Sequence, residues 1–441
     1  MRLVTKSIAA FCLCVILLTT SSVAETPRAK PEDVGMSSER LHRIHELIQR
    51  NVDAGSFSGA VTLVARNGRI AHLEAQGLMD VESRKPMATN AMFRIMSMTK
   101  PVVGVAILML VEEGKVRLTD PVSRFIPQFK DLKVAVGQGA APGAPAGQRG
   151  QQAGAQQAGG RGAAPAEQRF YTVPAEREIT VKDLLTHTSG LVSGAISNQE
   201  NRKVALEGKE SNADYIPRLG GVPLEFQPGS RWAYSAQAGF DTLVLVAEVA
   251  SKQPFDRFAT ERIFQPLGMK DTFFYPAASY SPRIATLYQR TANVLQKQAD
   301  PNFMNGAFFS GGGGLITTAE DYLQFGQMLL NGGQLNGKRV LSPRTVELMR
   351  SVFIPDTLQG RARGESFGLS VRVVSDPVQR GTALSAGSFG WSGAFGTHFW
   401  VDPKEKVVAV LMTQTSNPEV NRDFENAVMQ AIVEEARQEL K

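Results

Sequence analysis

Ser97 and Lys100 are spaced so that they can act together as a nucleophile and its base. A serine hydroxyl is a weak nucleophile until a neighbour removes its proton, and residues three apart share one face of a helix. The apolar run over 102–111 predicts a buried helix from 97 to about 113 that holds both groups rigidly. The alternative is that Ser97 only caps this helix, a role that serine favours.

A second proton-handling group is predicted at Tyr234. The segment around it predicts a turn followed by a helix from about Gln237, so Tyr234 lies at a loop-to-helix junction. A tyrosine hydroxyl there can share the role of base with Lys100. Considered without its partners, Tyr234 also fits a buried structural tyrosine.

The glycine-rich run 390–397 is the third candidate segment. Glycine lets a backbone approach a substrate closely, and we expect an edge strand that begins here to supply a backbone N–H at Ala394. Because Ser97 heads a helix, its own N–H is a second donor toward a developing oxyanion. A glycine-rich bulge without a catalytic role is the alternative for this run.

Two further hydrolase-like features do not fit their usual roles. Ser366 lies in a Gly-x-Ser-x-Gly motif over 364–368, but a strand is predicted after it where a nucleophile elbow needs a helix. His187 resembles a triad base, yet a Ser-Lys-Tyr arrangement needs no histidine. We expect both residues to be structural. The five histidines show no metal-ligand spacing, so we expect no metal and no cofactor.

The first 24 residues have the three parts of a secretory signal, cleaved near Ala24. The basic residues Arg2 and Lys6 precede an apolar run over 8–18, which is too short to span a bilayer. Both cysteines, at positions 12 and 14, lie in this signal, so the mature chain has no thiol nucleophile. We expect a secreted or periplasmic protein without a membrane span. The net charge of +6 is spread over mixed residues, and we expect no nucleic-acid partner.

Hairpin signals near both ends and helical patterns between them predict an α+β fold. We expect an antiparallel sheet flanked by helices, built from 25–96 and 300–441, with a mostly helical domain of 97–299 inserted. The predicted elements at the two ends are a helix at 38–53, strands at 60–65, 69–73, 397–401 and 407–412, and a helix at 418–439. The composition of 137–168, almost only Gly, Ala, Gln and Pro, predicts a disordered insertion. A linker between independent domains is the alternative.

In this order the motifs resemble those of the class C β-lactamase-like serine hydrolases, which have the penicillin-binding-protein fold, and within them the family VIII carboxylesterases. The resemblance rests on Ser97-x-x-Lys100, 185–190, Tyr234-Ser235, 266–269, 311–315 and Trp391-x-Gly393. It implies that Ser97 is the acylated nucleophile and that Lys100 and Tyr234 move its proton. It also implies that the N–H groups of Ser97 and Ala394 bind the oxyanion.

Two departures from the family pattern concern the substrate. The β-lactamases and D-Ala-D-Ala peptidases of this family carry Tyr-x-Asn, where this chain has Ala236 in the third position. They also carry Lys-Thr-Gly or His-x-Gly, where this chain has Trp391. Losing the cation weakens recognition of a substrate carboxylate, whereas an indole favours uncharged apolar groups. We expect Trp391, Ser392, Gly393 and Ala236 to line the substrate site.

The sequence therefore predicts a secreted serine esterase that cleaves small to medium carboxylic esters through an acyl-enzyme on Ser97. A β-lactamase or D-Ala-D-Ala carboxypeptidase-like penicillin-binding protein uses the same nucleophile and is the first alternative. A catalytically silent binding protein on the same scaffold is the second. The expected partner is a small-molecule ester, and the oligomeric state is left open.

Overall fold

The centre of the protein is an eight-stranded antiparallel sheet made from both ends of the chain. The computed structural model describes residues 26–138, 167–292, 294–301 and 303–434. The strands, in order across the sheet, are Glu365–Phe367, Arg372–Val374, Phe389–Ser392, His398–Asp402, Val407–Met412, Gly59–Arg66, Arg69–Asp80 and Lys85–Pro86. The predicted α+β architecture with an antiparallel sheet is confirmed.

The N-terminal and C-terminal parts of the sheet are joined because Gly59–Arg66 pairs with the last strand of the chain, Val407–Met412. Val61 lies opposite Met412, and the ladder continues to Arg66 opposite Val407. The hairpin predicted around Asn67-Gly68 is also confirmed. Both turn residues have positive φ, 52° and 72°, as the tight turn of a two-residue hairpin requires.

Helices cover both faces of the sheet. Ser38–Asp53 and Pro418–Gln430 pack with Trp400 in a core on one face, while Thr99–Glu112 and Ala319–Leu330 belong to the larger core on the other. Of the helix predicted over 418–439, the described residues form only Pro418–Gln430, and 435–439 lie outside them. The helix ends at Gln430 because the chain then bridges to Met36 through Ile432.

Apart from the 14-residue helix Ala238–Ser251, the remaining helices and strands are short. The helices are Val181–Leu185, Ala195–Asn201, Asn212–Tyr215, Ala238–Ser251, Phe255–Ala259, Gln265–Leu267, Pro343–Met349 and Pro377–Arg380. The additional strand pairs are Phe93–Arg94 with Ile316–Thr317, Lys133–Gly137 with Phe170–Pro174, Tyr288–Thr291 with Val294–Lys297, and Gln334–Leu335 with Lys338–Arg339. None of the helices in the described ranges is long and apolar enough to cross a membrane.

The flanks of the Gly/Ala/Gln-rich insertion are neighbours in space. Lys133–Gly137 pairs with Phe170–Pro174, and the Gln138 N–H donates to the Arg169 carbonyl at 2.8 Å. The chain therefore leaves and re-enters the fold at adjacent points. Most of the insertion, 139–166, and the signal segment predicted over 1–24 lie outside the described residues.

Candidate active site

Ser97 lies in a single 3-10 turn, Met96–Met98, that leads directly into the helix Thr99–Glu112. The helix is buried on almost every side, as its uninterrupted apolar sequence predicts. Its first turn is also held by its neighbours, since Tyr322 donates to the Met98 carbonyl at 2.6 Å. The nucleophile candidate is thus fixed by the core of the protein.

Lys100 is fully buried, and its ammonium group has three acceptors within hydrogen-bond distance. Nζ lies 3.1 Å from Ser97 Oγ, 2.6 Å from the Ala236 carbonyl oxygen and 2.9 Å from the Gly312 carbonyl oxygen. These match the three donors of a lysine ammonium. When the amine is neutral, its two N–H bonds can donate to the carbonyls, and its lone pair then faces the Ser97 hydroxyl. The arrangement suits a general base.

The hydroxyl of Tyr234 approaches Ser97 from a second direction. It donates to Ser97 Oγ at 2.7 Å, and its ring centroid lies 5.0 Å from Lys100 Nζ. The residue precedes the helix Ala238–Ser251, at the loop-to-helix junction that the sequence predicts. The structure therefore brings the predicted Ser-Lys-Tyr set together around one oxygen atom.

His187 supports Tyr234 and does not contact Ser97. Its Nδ1 accepts a hydrogen bond from the Ser235 N–H at 3.2 Å, and its ring packs 4.7 Å from that of Tyr234. Burial, and then the nearby charge of Lys100, lower the pKa of His187 well below its usual value. A neutral imidazole with these contacts fits the structural role that we expect for it.

The predicted edge strand at 390–397 is wrong, because this segment lies inside the sheet. Phe389–Ser392 and His398–Asp402 pair with each other, and each has a further strand on its outer side. The two are joined by a tight turn in which Gly393 donates to the Thr397 carbonyl at 2.7 Å. The preceding strand Arg372–Val374 and the following strand Val407–Met412 cover what the local pattern presents as an edge.

Gly393 brings this turn against the segment that carries the nucleophile. A Cβ atom at Gly393 would lie 2.3 Å from the carbonyl oxygen of Ile95, two residues before Ser97. Only glycine permits this approach. The backbone N–H groups of Ser97 and Ala394 form no hydrogen bond within the part of the chain that the structure describes. Neither group therefore has an acceptor among these residues.

Trp391 and Ser392 have their contacts on different sides of the sheet, because neighbouring strand residues point to opposite faces. Trp391 Nε1 lies 3.4 Å from the Tyr234 hydroxyl, beside the reactive set. Ser392 Oγ lies 2.8 Å from Nδ1 of His398, and the other ring nitrogen lies 3.1 Å from Glu425. The structure thus brings Trp391 beside Tyr234 but turns the Ser392 hydroxyl toward His398, which contacts the C-terminal helix.

Ser366 lies in the strand Glu365–Phe367, not at a strand-to-helix turn. Its hydroxyl is buried and donates to the Ile354 carbonyl at 2.9 Å. Its geometry therefore differs from that of a nucleophile elbow.

Asp241 is the buried charged residue of this region that the sequence analysis missed. It lies in Ala238–Ser251 and accepts hydrogen bonds at 2.9 Å from Ser310 Oγ and from the Gly312 N–H. Burial raises its pKa to about 6, although these hydrogen bonds and the charge of Lys100 oppose the rise. The sequence signal for it is an aspartate among the mostly apolar residues of the first turns of this helix.

A cavity of about 350 Å³ adjoins Ala394 and Phe395. Its lining also includes 287–290, 298, 299 and 301, whereas Ser97 does not line it. Ala394 therefore borders both the cavity and the surroundings of the nucleophile. In the ranges that the structure describes, no cluster of three or more His, Cys, Asp or Glu could hold a metal ion.

A protein-family model described as Beta-lactamase matches residues 44–434. The chain belongs to the β-lactamase family. Protein Rv1367c of Mycobacterium tuberculosis is 34% identical over 399 residues, which cover 86% of this chain and 91% of that protein. Esterase EstB of Burkholderia gladioli is 29% identical, with coverage of 81% and 86%.

The solved structures show the same fold. EstCE1, described as a hydrolase with promiscuous acyltransferase activity, superimposes with a TM-score of 0.71 at 24% identity, covering 90% of this chain and 99% of its own. The β-lactamase/transpeptidase-like fold expected from the motifs is confirmed. With esterase relatives in the same family, the protein is a serine hydrolase.

Proposed function

We propose that this serine hydrolase is a secreted esterase that cleaves small to medium carboxylic esters through an acyl-enzyme on Ser97. The observation that carries the proposal is the convergence of Lys100 Nζ and the Tyr234 hydroxyl on Ser97 Oγ, at 3.1 and 2.7 Å. A relative named as an esterase, EstB, supports the choice of ester substrates.

In the proposed reaction, Ser97 Oγ attacks the ester carbonyl carbon while its proton passes to neutral Lys100. The carbonyl oxygen becomes an oxyanion that the N–H groups of Ser97 and Ala394 stabilise. The tetrahedral intermediate then collapses, the alcohol leaves, and its oxygen takes a proton from Lys100 through Tyr234. Water attacks the acyl-enzyme by the reverse sequence, which releases the acid and restores Ser97.

The surroundings of Tyr234 favour an uncharged substrate. The indole of Trp391 lies beside the Tyr234 hydroxyl, and the imidazole that packs against the Tyr234 ring, His187, is buried with its pKa lowered well below its usual value. The three hydrogen bonds of Lys100 are already made within the protein. A substrate carboxylate would therefore lose its hydration without gaining a free cation, which costs several kcal/mol.

Parallel assays on two substrate classes test this proposal. The purified protein should hydrolyse p-nitrophenyl acetate and butyrate, Ser97→Ala should abolish that hydrolysis, and nitrocefin should be at most a weak substrate. Faster hydrolysis of nitrocefin would favour a β-lactamase. Ester hydrolysis that survives Ser97→Ala would contradict the assigned nucleophile, and no hydrolysis of either substrate would favour a silent binding protein.

The secretion part of the proposal has its own test. Expression of the full chain in a Gram-negative host should give a product whose N-terminus begins near Glu25, outside the cytoplasm. A product that keeps Met1 and stays in the cytoplasm would contradict it.

A further inference from the structure

Asp241 occupies an unusual position for a charged residue. It is 3% exposed, and apart from Thr242 the other residues from Ala238 to Ala247 of the helix that carries it, Ala238–Ser251, are apolar. A buried carboxylate is costly unless hydrogen bonds and an opposite charge compensate it. Here the compensation comes from Ser310, Gly312 and, through space, Lys100.

Gly312 joins Asp241 to the base of the proposed reaction. Its N–H donates to Asp241 Oδ1 at 2.9 Å, and its carbonyl oxygen accepts from Lys100 Nζ at 2.9 Å. The backbone at Gly312 also lies close to the N-terminus of the helix Ala238–Ser251, because a Cβ atom at Gly312 would lie 2.6 Å from Gln237 Cα. Gly312 is therefore held on one side by the Asp241 carboxylate and binds the Lys100 ammonium on the other.

We propose that Asp241 is a positioning residue for Lys100. Its carboxylate fixes the loop 310–314 so that the Gly312 carbonyl holds Lys100 Nζ against Ser97 Oγ, and its negative charge compensates the ammonium form. This inference rests on the proposed function, in which Lys100 is the base that activates Ser97.

The electrostatic part of the inference depends on which groups face the two charges. Asp241 faces Lys100 and the phenol of Tyr215. Burial, and then the negative charge of Asp241, raise the pKa of Tyr215 to about 12. Lys100 faces the neutral imidazole of His187 and the ring of Tyr234. Among these groups Asp241 is the only carboxylate, so removing its charge leaves the ammonium form less stabilised.

The test is the isosteric variant Asp241→Asn, followed by the pH dependence of Ser97 acylation. The rate of labelling by a fluorophosphonate and kcat/KM for p-nitrophenyl butyrate are both measured from pH 5 to 10. We expect the plateau of both rates to fall about tenfold or more, because small displacements of a catalytic group are costly. We also expect the acid limb of both pH profiles to move to lower pH, because neutral Lys100 is favoured when the negative charge of Asp241 is gone.

Asp321→Asn is the matched control. Asp321 is also buried, its pKa is also raised to about 6 by burial, and it accepts hydrogen bonds from Thr272 Oγ1 and the Asp271 N–H at 2.8 and 2.7 Å. It contacts none of the reactive groups. The control should lack the change in the pH profile, and equal changes in both variants would overturn the inference.

A second variant separates the two roles of the carboxylate. Ser310→Ala removes one hydrogen bond to Asp241 but keeps the carboxyl group, so it should lower the plateau while moving the acid limb less than Asp241→Asn does. Wild-type rates and profiles in both Asp241→Asn and Ser310→Ala would overturn the inference. Wild-type protein that is labelled but inactive on esters contradicts only the ester assignment, whereas wild-type protein that is not labelled contradicts both proposals.

Discussion

The main-chain carbonyl of Ala236 accepts a hydrogen bond from Lys100 Nζ at 2.6 Å. This is the position at which β-lactamases and peptidases of the family carry the asparagine of Tyr-x-Asn. Because the backbone provides the acceptor, a residue without a polar side chain still holds the base. The site thus keeps Lys100 in place while offering no side-chain amide to a substrate.

Ala236→Asn should therefore alter substrate choice more than catalysis. The added amide can bind an amide of a β-lactam, and a single hydrogen bond is worth about 1 kcal/mol, or roughly fivefold. We expect the ratio of nitrocefin to p-nitrophenyl butyrate kcat/KM to rise by about that factor, with ester kcat within about threefold of wild type. An unchanged ratio would contradict the role given to the missing amide.

Trp391→Lys should restore a cation beside the Tyr234 hydroxyl. We expect improved use of anionic β-lactams and poorer use of apolar esters, because the charge binds a carboxylate and the lost indole binds apolar groups. Trp391→Phe is the control, since it keeps an apolar ring and adds no charge. If both variants shift the substrate ratio alike, the loss of the indole and not the gain of a cation is responsible.

Tyr234→Phe should lower kcat for ester hydrolysis by about a hundredfold, because it removes the hydroxyl that lies 2.7 Å from Ser97 Oγ. Tyr275→Phe is a suitable control, since that hydroxyl binds the Phe308 carbonyl and not the reactive set. Circular dichroism and melting temperature establish that both variants are folded. A Tyr234→Phe enzyme with wild-type kcat would remove Tyr234 from the mechanism.

The buried carboxylate of Asp321 should make stability depend on pH. Burial raises its pKa from 3.8 to about 6, so the folded state holds this proton more tightly than the unfolded state does. The resulting stabilisation is fully present below about pH 4 and is lost as the pH rises through 6, by up to about 3 kcal/mol. The Asp321→Asn variant has no carboxyl group that titrates at this position, so it does not show this loss of stability. Its melting temperature relative to wild type should rise between pH 4 and 7, and a constant difference would contradict this.

Much of the site could be predicted from sequence because its chemistry is local. Ser97 and Lys100 are joined by one helical turn, and Asn67-Gly68 dictates its own hairpin. The order of the family motifs then adds Tyr234, which the structure places 2.7 Å from Ser97 Oγ although 137 residues separate them. Short-range rules and a known motif order were sufficient for these elements.

The parts that were not predicted depend on long-range packing. The side of the sheet that Ser392 faces follows from the contacts of His398 with Glu425 on the last helix, which a local pattern does not contain. The link from Asp241 to Lys100 runs through Gly312, about seventy positions further along the chain. The early end of the last helix likewise follows from a bridge to Met36.

The central claim is that Ser97 is the acylated nucleophile, and covalent labelling tests it most directly. The protein is treated with a fluorophosphonate, its intact mass is measured, and the modified peptide is identified. A single adduct on Ser97, absent from Ser97→Ala, is the predicted result. No adduct, or an adduct on another serine such as Ser366, would contradict the account.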